Sequence, residues 1–106
     1  MKKLEILCNE YKNNKNKYSS DDSTLISFDD KWFNNYLVSL SLMKVNNEYN
    51  IYLYIEENKR IILKALIESS DILIKQEYDK IRGNLQVLDI DSFIDMYYDQ
   101  LIENVK

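Results

Sequence analysis

Histidine and proline are both missing from the 106 residues of this chain, and glycine and cysteine occur once each, as Gly83 and Cys8. Without histidine there is no Ser-His-Asp or Cys-His arrangement, no imidazole general base and no zinc site that uses His. A single glycine cannot build the phosphate-cradling loops of the G-x-G-x-x-G or P-loop kind. One cysteine allows neither an internal disulfide nor a Cys-only zinc site, and it fits a reducing cytoplasm. Long apolar runs are missing too: nothing approaches the roughly 18 continuous apolar residues of a membrane-spanning helix, so a cytoplasmic chain without membrane contact is expected. The start, "MKKLEILC", has lysines, apolar residues and a cysteine in the order of a lipoprotein signal. Glu5 interrupts that run and bulky Leu7 precedes Cys8, so it is not read as one.

What is present suits a folded protein. A hydrophobic content of 45%, 12% aromatics and a net charge of −4 lie outside the disordered regime. The length is that of one compact domain, here residues 1–106. Twelve lysines against two arginines, with many Asn, Ile and Tyr, is the usage of an AT-rich genome. Residues 1–17 hold five lysines and two glutamates, or +3, which leaves −7 on the remainder. Such an acidic surface repels phosphate backbones, so direct nucleic-acid binding is not expected.

Leu4, Leu7, Cys8 and Tyr11 recur at helical spacing, which predicts a first helix over residues 2–17. The polar run that follows reads as a mobile loop over residues 13–24. "TLISF", "YLVSLSLMKV" and "NIYLYIEE" then alternate as strands do, giving a three-stranded antiparallel meander with a tight turn in "NNEY". That turn puts Leu40, Leu42, Ile51, Leu53 and Ile55 on one face and Ser39, Ser41, Met43, Tyr52 and Tyr54 on the other. In the next segment Ile61, Leu63, Ala65 and Ile67 alternate, but Arg60, Lys64, Glu68, Asp71, Lys75 and Asp79 recur at steps of three and four. That spacing predicts one long helix, capped by Asn58 and ended by Gly83, then an extended "LQVL". A last helix starts near Asp91 or Ser92, with Ser92 and Asp95 forming a capping-box-like entry. The fold class expected is α+β: N-terminal helix, three-stranded antiparallel meander, long helix, C-terminal acidic helix.

Carboxylates are the only abundant reactive groups. Asp89 and Asp91 could hold a hard cation, but two acids at a helix N-terminus more simply satisfy its free amides. The paired acids at residues 21 and 22, 29 and 30, and 56 and 57 read as solvated loop or strand ends, and Trp32 and Phe33 as core or sheet-edge packing. No metal, no cofactor and no catalytic residue is expected, so the chain is not read as an enzyme. Two features remain. Tyr52 and Tyr54, beside Met43 and two serines, make a sheet face of the mixed kind that interfaces favour. Asp91, Asp95, Asp99 and Glu103 stand four apart on the last helix, about 6 Å per step, a row comparable to successive phosphates of a nucleic-acid strand. Like charges four apart cost a helix about 0.2–0.5 kcal/mol per pair, which a purely structural helix does not need.

The order helix, meander, two helices, with "KVNNEYNIYLYIEEN" leading into a strand and "DSFIDMYYDQ" in an acidic last helix, resembles the small phage anti-CRISPR proteins that occupy the DNA-binding surface of a Cas nuclease. The resemblance implies a stoichiometric inhibitor, a DNA mimic without catalysis. The expectation is therefore a non-catalytic inhibitor of a nucleic-acid-binding host protein, with a basic protein partner such as a Cas nuclease or another defence protein. Its candidate partner-binding residues are Asp91, Asp95, Asp99, Glu103, Tyr52 and Tyr54. A bacterial immunity protein or antitoxin that neutralises a toxin is the alternative expectation.

Overall fold

A computed structural model describes residues 2–14, 23–69 and 73–105. The elements, in chain order, are α1 (Lys2–Asn14), β1 (Ser23–Phe33), β2 (Tyr36–Val45), β3 (Glu48–Glu57), β4 (Arg60–Ser69), α2 (Ile74–Val87) and α3 (Ile90–Val105). The strands form one antiparallel sheet in the order β1-β2-β3-β4. The protein is thus α+β, with an N-terminal helix, a four-stranded antiparallel sheet and two C-terminal helices. Most of the expected mobile loop, residues 15–22, lies outside the described residues, as does Asp71; residues 13 and 14 close α1, and 23 and 24 open β1.

The main correction is the fourth strand. Residues 60–69, expected to open a long helix, pair with β3 instead, placing Leu63 opposite Ile55 and Ala65 opposite Leu53. The charge spacing misled because a step of four is also twice the strand period of two. Arg60, Lys64 and Glu68 therefore repeat as well in a strand as in a helix, and the alternation of Ile61, Leu63, Ala65 and Ile67 was the better guide. Asn58 does not cap a helix: with Lys59 it makes the β3–β4 turn, at φ 54° and 64°. Gly83 does not end one either, since it lies inside α2, which runs on through the stretch expected to be extended and reaches Val87.

Scarce glycine shapes the hairpins. A two-residue loop that matches the strand twist needs left-handed backbone, and after glycine asparagine tolerates it best. Asn46 and Asn47, at φ 51° and 71°, both adopt it in the β2–β3 turn, and Asn34, at φ 53°, takes the first position of the β1–β2 turn. The register that follows pairs Leu40 with Leu53 and Leu42 with Ile51, as the alternation predicts.

On one sheet face Val38, Leu40, Leu42, Ile51, Leu53, Ile55, Leu63, Ala65 and Ile67 are buried with Leu4 and Leu7 of α1, Ile74, Tyr78, Ile81 and Leu85 of α2, and Phe93, Ile94, Tyr97, Leu101 and Val105 of α3. All three helices feed this cluster, so the helical layer lies on the apolar side. Tyr97 packs on Phe93 with ring centroids 5.0 Å apart and accepts a 2.8 Å hydrogen bond from Asn84, which ties α3 to α2. Asp89, not Ser92, opens α3: its carboxylate accepts the Ser92 backbone N–H at 2.7 Å, and its carbonyl accepts that of Phe93 at 2.9 Å.

Candidate protein-interaction site

Asp91, Asp95, Asp99 and Glu103 are all exposed on α3, because Phe93, Ile94, Tyr97 and Leu101 turn the opposite side of the helix into the core. The row is not electrically uniform. Lys3 of α1 forms an ion pair with Asp95, stands 5.1 Å from the Tyr98 ring centroid, and lies close enough to Asp99 to feel its charge. Its ammonium is held above the usual lysine value, chiefly by the hydrogen bond to Asp95. Lys2 and Lys3 also share a shallow groove with Asp91, Ser92 and Asp95. The basic N-terminus thus folds back on the first half of the acid row and offsets it.

The second half meets different company. Asp99 and Glu103 flank a shallow depression whose other wall is Leu66, Ile67, Glu68 and Ser69, at the end of β4. Glu68 therefore joins Asp99 and Glu103 in a local acidic group. A sequence read with residues 60–68 as helix could not bring Glu68 there, since only strand pairing carries the end of β4 back beside α3.

Tyr52 and Tyr54 lie on the sheet face opposite the helical layer, with ring centroids 6.4 Å apart. The Lys64 ammonium stands 5.8 Å and 5.6 Å from their centroids, and burial pushes that ammonium below its usual value. Burial pushes the Tyr54 phenol up. Between the tyrosines and β1, Ser39 and Ser41 form a low floor on β2, and Asn50 donates to the Tyr52 hydroxyl at 3.3 Å. Ser41 is close enough to the Tyr54 hydroxyl to offset part of the rise of that phenol, and among the described residues Asn50 Oδ1 is buried without a hydrogen-bond partner.

The six candidate residues are therefore not one patch. Asp91 and Asp95 sit beside α1, and the tyrosines sit across the sheet. The two features approach each other only around the β4 edge, where Leu66 is the cross-strand neighbour of Tyr52 and also lines the depression with Asp99 and Glu103. A strip running Glu103, Asp99, Glu68, Leu66, Tyr52 joins half of the acid row to the aromatic face.

β1 was underestimated from sequence. It extends to Phe33, and its burial alternates with the wrong chemistry for an ordinary edge strand: Ser27, Asp29 and Lys31 point to the helices, while Phe28 and Trp32 point away. The paired acids Asp29 and Asp30, expected at a loop or strand end, stand in mid-strand. Asp29 accepts a 2.6 Å hydrogen bond from the Tyr78 hydroxyl of α2, and Lys31 donates to the Leu85 and Gln86 carbonyls at the end of the same helix, at 3.3 Å and 2.8 Å. The polar pair that would otherwise face solvent is used to staple α2 to the sheet.

Among the described residues no three carboxylates or thiols gather as a metal-binding group. The half-buried Cys8 thiol, beside Glu57 and Glu5, is pushed up to about 11, chiefly by burial, so the nucleophilic thiolate is scarce near neutral pH. No described helix is long and apolar enough to cross a membrane. Compared with known proteins, the chain matches no family model, no curated protein and no solved structure.

Proposed function

We propose that the protein acts without catalysis, by binding and blocking a basic, nucleic-acid-binding surface of another protein. A stoichiometric blocker of a host defence nuclease, of the anti-CRISPR kind, is the role this combination supports best. The observation that carries the reading is the acidic strip at the β4 edge, where Asp99, Glu103 and Glu68 line one shallow depression with Leu66, the cross-strand neighbour of Tyr52. Asp91 and Asp95 contribute less, because the α1 lysines already answer them. Opposed charge at such a contact steers association and fixes register, and the neighbouring Leu and Tyr supply the desolvated contact area.

The test is capture of a partner from lysate of the host bacterium, followed by measurement of affinity with the purified pair. Reversing charge at Asp99 and Glu103 together should weaken the complex at least tenfold and flatten its salt dependence. Reversing Asp91 alone should matter far less, and excess duplex DNA should compete. A partner that binds both variants equally well and ignores DNA removes the proposal.

A further inference from the structure

β1 is a sheet edge eleven residues long whose outer backbone groups pair with no other strand among the described residues. Of the large apolar side chains left exposed, Leu25, Ile26, Phe28 and Trp32 all belong to it, with Phe28 53% and Trp32 66% accessible. Natural sheets blunt such edges with charge, bulges or brevity, and an unblunted one invites strand addition. Here the bulge between Leu25 and Ser27 leaves residues 27–33 regular, and of the three charges in that stretch Asp29 and Lys31 are held by α2, which leaves Asp30 to blunt the edge.

The hairpin geometry says which backbone groups are available. Phe33 and Tyr36 close a two-residue loop, so they form a hydrogen-bonded pair, and such pairs recur at every second residue along β1. Lys31 and Asp29 accordingly turn their N–H and C=O groups toward β2. Phe28, Asp30 and Trp32 turn theirs outward, the same residues whose side chains lie on the face away from the helices.

We propose that β1 pairs antiparallel with β1 of a second copy of this chain, about a two-fold axis passing at Asp30. The two sheets then become one continuous sheet with both helical layers on the same side. Directly opposed residues of an antiparallel pair point to the same face, so the axis must pass through a residue. With the axis at Asp30, Phe28 stands opposite Trp32 of the second copy, twice by symmetry, in hydrogen-bonded pairs. Asp29 stands opposite Lys31, also twice, on the helical side. Moving the axis to Asp29 or to Lys31 sets that residue against itself and breaks the aromatic pairs, and moving it to Phe28 brings the Ile26 bulge into the ladder. The register at Asp30 has one adverse contact, Asp30 against itself, which weakens the dimer and makes it adjustable. This pairing leaves the β4 edge and α3 untouched, so it stands apart from the partner-blocking role.

Sedimentation velocity from about 1 to 300 µM tests the proposal, with amide hydrogen exchange as a second readout. A reversible monomer–dimer equilibrium is expected, with exchange at Phe28, Asp30 and Trp32 slowing as concentration rises. Trp32→Lys should raise the dissociation constant at least tenfold while the far-ultraviolet circular dichroism stays that of the folded sheet and helices, since the ring lies outside the core. Asp30→Asn should tighten the dimer by roughly 1.5- to 5-fold, the equivalent of removing one like-charge cross-strand pair. A chain that stays monomeric throughout the range, a dimer indifferent to Trp32→Lys, or an Asp30→Asn dimer no tighter than the original overturns it.

Discussion

On the helix side of the sheet Leu40, Leu42, Leu53 and Ile55 are closed to solvent, whereas one residue along the same strands, on the side away from the helical layer, Met43, Tyr52 and Tyr54 are only half-buried around the buried Ser39 and Ser41. β1 crosses this division in the opposite sense, with Asp29 and Lys31 toward the helices and Phe28 and Trp32 away from them. Where a strand lies deep in the sheet, burial alone decides its faces. At the edge, where α2 brings a phenol and the free carbonyls of a helix end, polar residues can be the better inward choice because each finds a partner. The contrast also teaches where binding surfaces arise: apolar side chains spent on the core are unavailable to partners, and those of β1 are available.

Four measurements break or sharpen that contrast. The largest effect belongs to the covered face: Leu53→Ala should cost about 2–5 kcal/mol in urea unfolding, because it leaves a cavity in close-packed surroundings. Tyr78→Phe should cost about 1.5–3 kcal/mol, since it strips the Asp29 carboxylate of a hydrogen bond under α2; a smaller loss would mean that water replaces the hydroxyl. A pH series gives the third. Cys8 is raised from 9.0 to about 11, so the stability it contributes is fully present below pH 9 and is lost as pH climbs through 11. Cys8→Ala should flatten that decline by at most about 2.7 kcal/mol, the equivalent of the rise from 9.0 to about 11, and by less to the extent that solvent screens the half-buried thiol. What is left is the part due to the raised tyrosines, among them Tyr78, whose phenol is held up by burial and then by its bond to Asp29. The smallest effect is expected on the open face, where Trp32→Ser should change the stability of the monomer by no more than about 0.5 kcal/mol. A cost comparable to that of Leu53→Ala would show that the Trp32 ring is buried in the folded chain.

Much of the fold was legible because alternation in a half-buried strand is unambiguous once burial is required. The faces of β2 and β3, the turn at Asn46 and Asn47, and the apolar side of α3 all follow from local pattern. The fourth strand was not, because charges four apart satisfy both periods, and only pairing with β3 breaks the tie. The candidate site was legible as a set of exposed acids but not as a surface. That Lys3 reaches Asp95, or that Glu68 stands beside Asp99, depends on contacts between residues distant in sequence.

The sequence by itself determined that this chain has no histidine and too little glycine for a phosphate-cradling loop, that it is α+β, and that one helix carries a row of acids, for these depend on residue types and short-range periodicity. Only the tertiary structure decided that the row is half offset by α1 and half extended by β4, and that β1 offers its aromatics outward. Charge acts through distance and burial through neighbours, and both are set by how the chain packs rather than by its order.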